Sequence, residues 1–432
     1  MPKQQRKIPL TAGLLALTVI SNSAIAEDVT KSIEDALKFG NGGAVKFDLN
    51  YRYENVNQDN VRIPPLRGIP LPAAKQPDTA NANTVRLRLG LLSPVFHGLQ
   101  GYAEYQGLYA MQSDYNSTRN DKTGYSVIAD PYENELDQLW LSYAGIPDTV
   151  IKGGRQVIQM DDQRFIGNVG WRQLQQTFDS ALITNKSINN LTINAGYIGR
   201  AKTVTATTEG LTAPILNVNY KLGDYGSLAG YGYWLDFTDP GANAVYNKSS
   251  QTYGLRLTNY QKPGDSFKLS DNYGLLYTAE WSIQSDYQNS PKDYTVNRWN
   301  LMGGLTAYMF TVQGAMEQLD GVGKNKTFIT PLGTNFAFQG WADQFLVTPD
   351  DGIRDVFGTV TTSLDRGEVT LMGVFHQFYD DTGNIHYGKE WDFRAVKKFG
   401  KHYSLLAQYA YYEADQFSTD TQKIWVQGNI NF

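Results

Sequence analysis

The stretch Ala44-Val45-Lys46-Phe47-Asp48-Leu49-Asn50-Tyr51-Arg52-Tyr53-Glu54 alternates at every position. Val45, Phe47, Leu49, Tyr51 and Tyr53 fall on one side of an extended chain; Lys46, Asp48, Asn50, Arg52 and Glu54 fall on the other. Successive side chains leave opposite faces of a pleated strand, so this period of two predicts a strand with one apolar and one wet face. Residues 271 to 284 repeat the pattern, with Tyr273, Leu275, Tyr277, Ala279, Trp281 and Ile283 on one side and only Leu276 out of phase. In residues 226 to 238, Ala229, Tyr231, Tyr233, Leu235 and Phe237 alternate with Gly230, Gly232, Trp234 and Asp236.

Working outward, alternating segments of about ten residues separated by turn chemistry fill the chain, the pattern of a transmembrane barrel. Eighteen such segments fit between residues 44 and 432, an even number as a bacterial single-chain barrel requires. Short connections such as Gly145-Ile146-Pro147-Asp148 alternate with long ones at 57 to 82, 112 to 133, 161 to 174 and 320 to 353. The short set is expected on the periplasmic side, and the long set outside or folded into the pore. A soluble sandwich also alternates, but its apolar face is seldom so rich in tyrosine. The chain has 28 Tyr, 19 Phe and 8 Trp, and its Tyr and Trp collect near segment ends, where interface girdles lie, while mean hydropathy stays at -0.41. The fold class is therefore all-β, a transmembrane antiparallel barrel of about eighteen strands.

The two ends support an exported protein. Lys3, Arg6 and Lys7, then the apolar run Leu10 to Ile20, then Ala24-Ile25-Ala26 read as a signal peptide over residues 1–26. The apolar run is too short for a membrane-spanning helix. The remainder, 27–432, reads as the barrel: a short periplasmic helix at 27–40, with Val29, Ile33, Ala36 and Leu37 on one face, then strands over 44–432. Ile424, Val426, Gly428, Ile430 and Phe432 form an alternating last strand with an aromatic end, which resembles the terminal signal read by barrel-assembly machinery, so Phe432 is expected to act in assembly. With no Cys there is no disulfide scaffold, thiolate metal site or cysteine nucleophile, and a formal charge of -5 argues against a nucleic-acid partner.

Two further stretches carry a resemblance. Gly154-Arg155-Gln156, Asp162-Gln163-Arg164-Phe165, Trp171-Arg172-Gln173 and Gln176-Thr177-Phe178-Asp179 form one cluster; Thr330-Pro331-Leu332-Gly333-Thr334 and Gly340-Trp341-Ala342-Asp343 form the other. In this order they resemble the alginate export family of outer-membrane porin-like proteins. The resemblance implies an eighteen-stranded barrel whose basic pore admits anionic solutes, an acidic polysaccharide such as alginate among them. It also implies pore positions for Arg164 and Arg172, which lie in a long connection. Phe336 departs from the pattern, standing where many relatives are expected to carry histidine.

Strand phase gives the rest of the lumen. Lys46, Arg52, Arg86, Arg88, Arg200, Arg256 and Arg394 are expected to point inward, with Arg155 at an ambiguous position. Arg52, Arg86 and Arg88 lie on consecutive strands and would make a basic wall. Asp48, Glu104, Asp236, Glu280 and Asp392 share the lumen, so a mixed-charge, weakly selective pore is the alternative. No nucleophile–base cluster marks an enzyme, and no cofactor is implied. A hairpin centred near Asp381 would set His376 and His386 opposite each other beside Asp380, a weak candidate metal site at the rim. The expected function is an outer-membrane channel for anionic solutes, with membrane lipid and the assembly machinery as its other partners.

Overall fold

The computed structural model describes residues 23–59, 76–238, 247–260, 265–288 and 290–432. The wall is built of β1 (Gly43–Gln58), β2 (Ala80–Leu92), β3 (Leu99–Asp114), β4 (Glu133–Ile146), β5 (Thr149–Gln156) and β6 (Thr177–Asn185). It continues through β7 (Leu191–Lys202), β8 (Thr208–Lys221), β9 (Ser227–Phe237), β10 (Ser250–Thr258), β11 (Tyr273–Asp286) and β12 (Thr295–Ala307). The last third is β13 (Phe310–Leu319), β14 (Ile353–Leu364), β15 (Val369–Tyr379), β16 (His386–Phe399), β17 (Tyr403–Ala414) and β18 (Thr421–Asn431). Each strand pairs antiparallel with the next, and β18 returns to β1 in the register Asp48↔Asn431 to Gln58↔Thr421, which closes an eighteen-stranded barrel. Two short strands, Lys38–Phe39 and Phe267–Ser270, add to its rim beside β1 and β11.

Closure leaves no open edge, and the two faces then separate by polarity. Outward positions are large and apolar, among them Leu91 at 55%, Leu139 at 53% and Leu255 at 57% exposure, as a lipid-facing surface requires. Tyr220, Tyr273 and Tyr308 ring the exterior near the short turns, and Trp281, Trp299 and Trp391 lie further toward the long loops. At the β8–β9 turn Gly226 takes φ +94, and a Cβ there would lie 2.1 Å from the Thr258 carbonyl oxygen, so the close turn demands glycine.

Two local readings need correction. In β9 the apolar set Ala229, Tyr231, Tyr233, Leu235 and Phe237 is buried and faces the lumen, while Leu228 and Trp234 face out. Register decides this phase, because Ala229 lies opposite Arg256 and Tyr231 opposite Gly254. A helix does precede the barrel, but it spans Ser23–Ala36 rather than 27–40 and so runs across the expected cleavage position; residues 1–22 lie outside the described residues. The helix reaches the barrel through Glu34, which pairs with His402 Nε2 at 2.6 Å.

The lumen is occupied by two connections. Residues 157–176, between β5 and β6, and 320–352, between β13 and β14, fold inward and meet at a parallel bridge, Ile166↔Leu332. Ile158, Phe165 and Ile166 from the first and Phe328, Leu332, Phe336, Trp341 and Phe345 from the second are all buried, packed on Tyr231, Tyr233 and Phe378 of the wall. Tyrosines that looked lipid-facing in the sequence are therefore the seat of an internal core.

Candidate functional site

The β1–β2 wall carries the first group of expected residues, and its arginines reach backbone. Arg52 donates from Nη2 to the Trp171 carbonyl at 2.5 Å and from Nε and Nη2 to Gln427 Oε1 at 3.1 and 2.8 Å. Arg86 pairs with Asp48 and donates to the Gln173 carbonyl at 3.4 Å; Arg88 donates to the same carbonyl at 3.2 Å and to Gln106 Oε1 at 2.5 Å. The three guanidiniums thus hold residues 171–173 against the wall. Arg172 turns the other way, to Glu54 at 3.1 Å and Asp130 at 2.9 Å. Burial alone would lower its affinity for the proton, but Asp130 and Glu54 outweigh that and hold the guanidinium above its ordinary range.

On the opposite wall the arginines meet carboxylates. Asp162 pairs with Arg256, Arg256 lies 3.7 Å from Glu280, Glu280 lies 3.0 Å from Arg298, Arg298 lies 2.6 Å from Glu317, and Glu317 lies 3.0 Å from Arg164. The charges alternate in sign along β10, β11, β12 and β13 and end at both sides on the 157–176 loop. Arg164 also donates to Thr330, Asn335 and Gln339 of the second loop, at 3.2, 3.1 and 2.9 Å. Arg298 and Glu317 were not among the expected lumen residues. Their signal was present in the alternation, since the outward positions of Trp299 and Leu301, and of Phe310 and Val312, put them inward. The partnership of Glu54 and Asp130 with Arg172 had no such signal, because it depends on where a loop docks.

Three expected lumen residues lie elsewhere. Arg155 is opposite Leu139 on the lipid-facing side and makes a two-pronged pair with Asp179 at 2.7 and 3.0 Å. Arg200 shares that face, opposite Asp179, because a register shift between Ile198 and Arg200 moves it off the inward phase. Asp236 faces out with the inverted phase of β9, at 3.4 Å from the Ser249 hydroxyl. The histidines are also apart: His376 lies opposite Glu390 and His386 opposite Tyr379. His376 Nδ1 meets Asp355 at 2.9 Å, and His386 Nδ1 meets Asp415 at 3.0 Å. Among the described residues no cluster of His, Asp or Glu is arranged to hold a metal ion.

Of the remaining expected residues, Asp392 is fully buried 3.5 Å from His376 Nε2, Lys46 and Arg88 border a cavity, and Arg394 packs on aromatic rings of the inward loops. Lys46, Arg88 and Arg394 have no carboxylate within ion-pair distance among the described residues. Lys46 and Arg88 line a cavity of about 490 Å³ with Asp48, Glu104, Tyr102 and Trp140 near the short turns. Its two acids are engaged, Asp48 by Arg86 and Asn431, Glu104 by Tyr102 and Gln138. Arg394 sits where the inward loops meet, its guanidinium 4.3 Å from the Trp341 ring and 5.6 Å from the Trp171 ring, with Nε donating to Gln408 at 2.7 Å. Phe336 stacks on Trp171 at 4.3 Å and completes this aromatic cluster. A second cavity, of about 360 Å³, opens near the short turns under residues 159–162. Phe432 lies at the barrel seam, its backbone bonded both ways to Phe47 at 2.8 and 3.0 Å.

The model of the alginate export family matches residues 75–194 of this chain. Those residues include the 157–176 loop and its cluster of Asp162, Arg164 and Arg172. No curated protein matches the chain in sequence. Among solved structures, a BenF-like porin from Pseudomonas fluorescens Pf-5 is similar at TM-score 0.67 and 14% identity, covering 90% of this chain and 99% of that one. OpdK of Pseudomonas aeruginosa, solved with vanillate, aligns at TM-score 0.65 and 12% identity over 90% of this chain and 99% of that one. OccAB4 of Acinetobacter baumannii aligns at TM-score 0.64 and 14% identity over 90% and 98%. The fold is that of the outer-membrane porins. In this porin-type barrel the closed wall, lipid-facing exterior and inward loops are one architecture, and the two cavities lie within its lumen.

Proposed function

We propose that this porin-type barrel is a passive channel of the bacterial outer membrane for small anionic solutes. The observation that carries the reading is the set Lys46, Arg88 and Arg394, cations without a carboxylate partner among the described residues, two at a cavity and one beside the aromatic cluster of the inward loops. Fixed positive charge at close range is what an anion path needs, and a guanidinium offers a fork that matches a carboxylate. The vanillate named with OpdK carries such a carboxylate. Acidic saccharides fit the same chemistry as short units, since two inward loops occupy the lumen. Passage needs no bond to be made or broken, so the reading is of a channel and not of an enzyme.

Membrane lipid is the partner of the apolar exterior, and the assembly machinery that of the last strand. Deleting Phe432 is expected to lower the amount of folded barrel in the outer membrane, read by heat-modifiable mobility, far more than it alters conductance. Solute choice is tested by swelling of liposomes carrying the purified barrel. Gluconate is expected to enter faster than a cation of similar size, and Lys46→Gln with Arg88→Gln should narrow the difference. Equal entry of both solutes in the wild type would favour a weakly selective pore.

A further inference from the structure

The 360 Å³ cavity has a different chemistry from the Lys46–Arg88 cavity. Its wall is a patch of three rows on β7 to β10, set by register. Thr192 faces Asn219, which faces Ala229, which faces Arg256; Asn194 faces Asn217 in the row toward the loops; Lys221 faces Ser227, which faces Thr258, in the row toward the short turns. The ceiling is Gln159 to Asp162 of the inward loop. Amides and hydroxyls dominate, and Ala229 in the central row leaves the hollow among longer neighbours.

The charges at its edges are spoken for or cancel. Asp162 pairs with Arg256, and Asp161 accepts from Asn217 Nδ2 at 2.7 Å. Lys221 stands at the opposite edge from Asp161, so the cavity has no dominant sign. Hydrogen-bonding capacity is left over at its centre. Asn219 and Thr192 have no side-chain partner among the described residues, and Asn194 uses only its oxygen, accepting from Thr184 at 2.7 Å. An amide offers donor and acceptor side by side and a hydroxyl offers both from one atom, which is the complement of a polyhydroxylated ligand. The volume lies within the range of small-molecule sites.

We infer that the cavity formed by Thr192, Asn194, Asn217 and Asn219 beneath Gln159–Asp162 is a binding site for a neutral polyhydroxylated solute of monosaccharide size. The site is separate from the cations of the anion path. A neutral sugar exchanges its water for the free amide and hydroxyl groups, whereas an anion finds no unopposed positive charge at the centre. The barrel would therefore hold sugars in one vestibule and steer anions along the other.

The test is ion current through the full-length barrel in a planar bilayer, with glucose added on each side in turn. Saturable, glucose-dependent current fluctuations are expected in the wild type. Asn219→Leu with Thr192→Val should weaken the apparent affinity about tenfold, the scale of losing one or two hydrogen bonds, and leave the anion-to-cation permeability ratio unchanged. Should that pair fail to assemble, Asn219→Ala provides the same reading with a smaller change of shape. Fluctuations that never saturate, or a saturating response unchanged by the substitutions, would overturn the assignment.

Discussion

The β1–β2 wall and the β10–β13 wall both present arginines to the same inward loop, yet hold it differently. On β1–β2, Arg52, Arg86 and Arg88 bond to carbonyls of Trp171 and Gln173. On β10–β13, Arg256 and Arg298 alternate with Glu280 and Glu317 and reach the loop through Asp162 and Arg164. A carbonyl satisfies a guanidinium's hydrogens without cancelling its charge, whereas a carboxylate cancels it. On the first wall Arg88 keeps its positive charge available to a solute, while Arg86 is paired with Asp48 and Arg52 lies 4.0 Å from both Glu54 and Asp130; the second wall converts its charge into mechanical attachment. Counting arginines in the lumen therefore overstates the anion path.

The strongest way to break the comparison is Arg298→Met. Arg298 is fully buried between Glu280 and Glu317, and removing it leaves Glu280 with Arg256 at 3.7 Å and Glu317 with Arg164 at 3.0 Å as their cationic partners, breaking the ladder at its middle. A loss of about 3–5 kcal/mol in loop docking is expected, seen as proteolytic cutting within 157–176 of a barrel that still migrates as folded. Resistance equal to wild type would mean that the ladder does not hold the loop.

Gly340→Ala comes next. Gly340 has φ +83, and an added Cβ would lie 2.5 Å from the Glu390 carboxylate, which accepts the Trp341 and Ala342 N–H groups at 2.5 and 2.7 Å. Strain of about 1–3 kcal/mol is expected, with a shift in tryptophan emission as Trp341 leaves Arg394. An unchanged spectrum and conductance would show that this turn tolerates the displacement.

Arg86→Gln with Arg88→Gln acts on the other wall, removing the hydrogen bonds to the loop backbone and the Arg86–Asp48 pair, and should have a smaller structural effect, about 1–2 kcal/mol. Because both residues touch the loop, cutting within 157–176 should rise modestly while anion preference falls. The smallest effect belongs to Arg155→Ala, outside the lumen and paired with a half-buried Asp179. It should leave ion selectivity at the wild-type value. A changed selectivity there would contradict its outward placement.

The strands were legible because a one-residue slip exchanges the two faces and each segment must keep its phase. All eighteen segments are present within a few residues of where the alternation puts them. What alternation does not say is which face is inside when both are bulky. β9 inverts for that reason: its tyrosines pack on Phe165 of a loop sixty-odd residues earlier in the chain, at ring distances of 5.1 and 5.8 Å. Arg155 and Arg200 were misplaced where glycine, a bulge or a register shift breaks the period. The carboxylates that bind Arg164 and Arg172 come from remote strands or another loop, and spacing along the chain carries no record of that meeting.

Ion selectivity tests the central claim most directly, that lumen cations without a carboxylate partner rather than total arginine content set the sign of the path. Reversal potentials should be measured across the wild type and the variant Lys46→Gln, Arg88→Gln, Arg394→Gln in a potassium chloride gradient, at low salt where the Debye length is about 10 Å. The wild type is expected to favour chloride, and the variant to lose that preference or reverse it while the Arg256–Glu280–Arg298–Glu317 ladder stays whole. A wild type that favours potassium, or a variant as anion-selective as the wild type, would contradict the account.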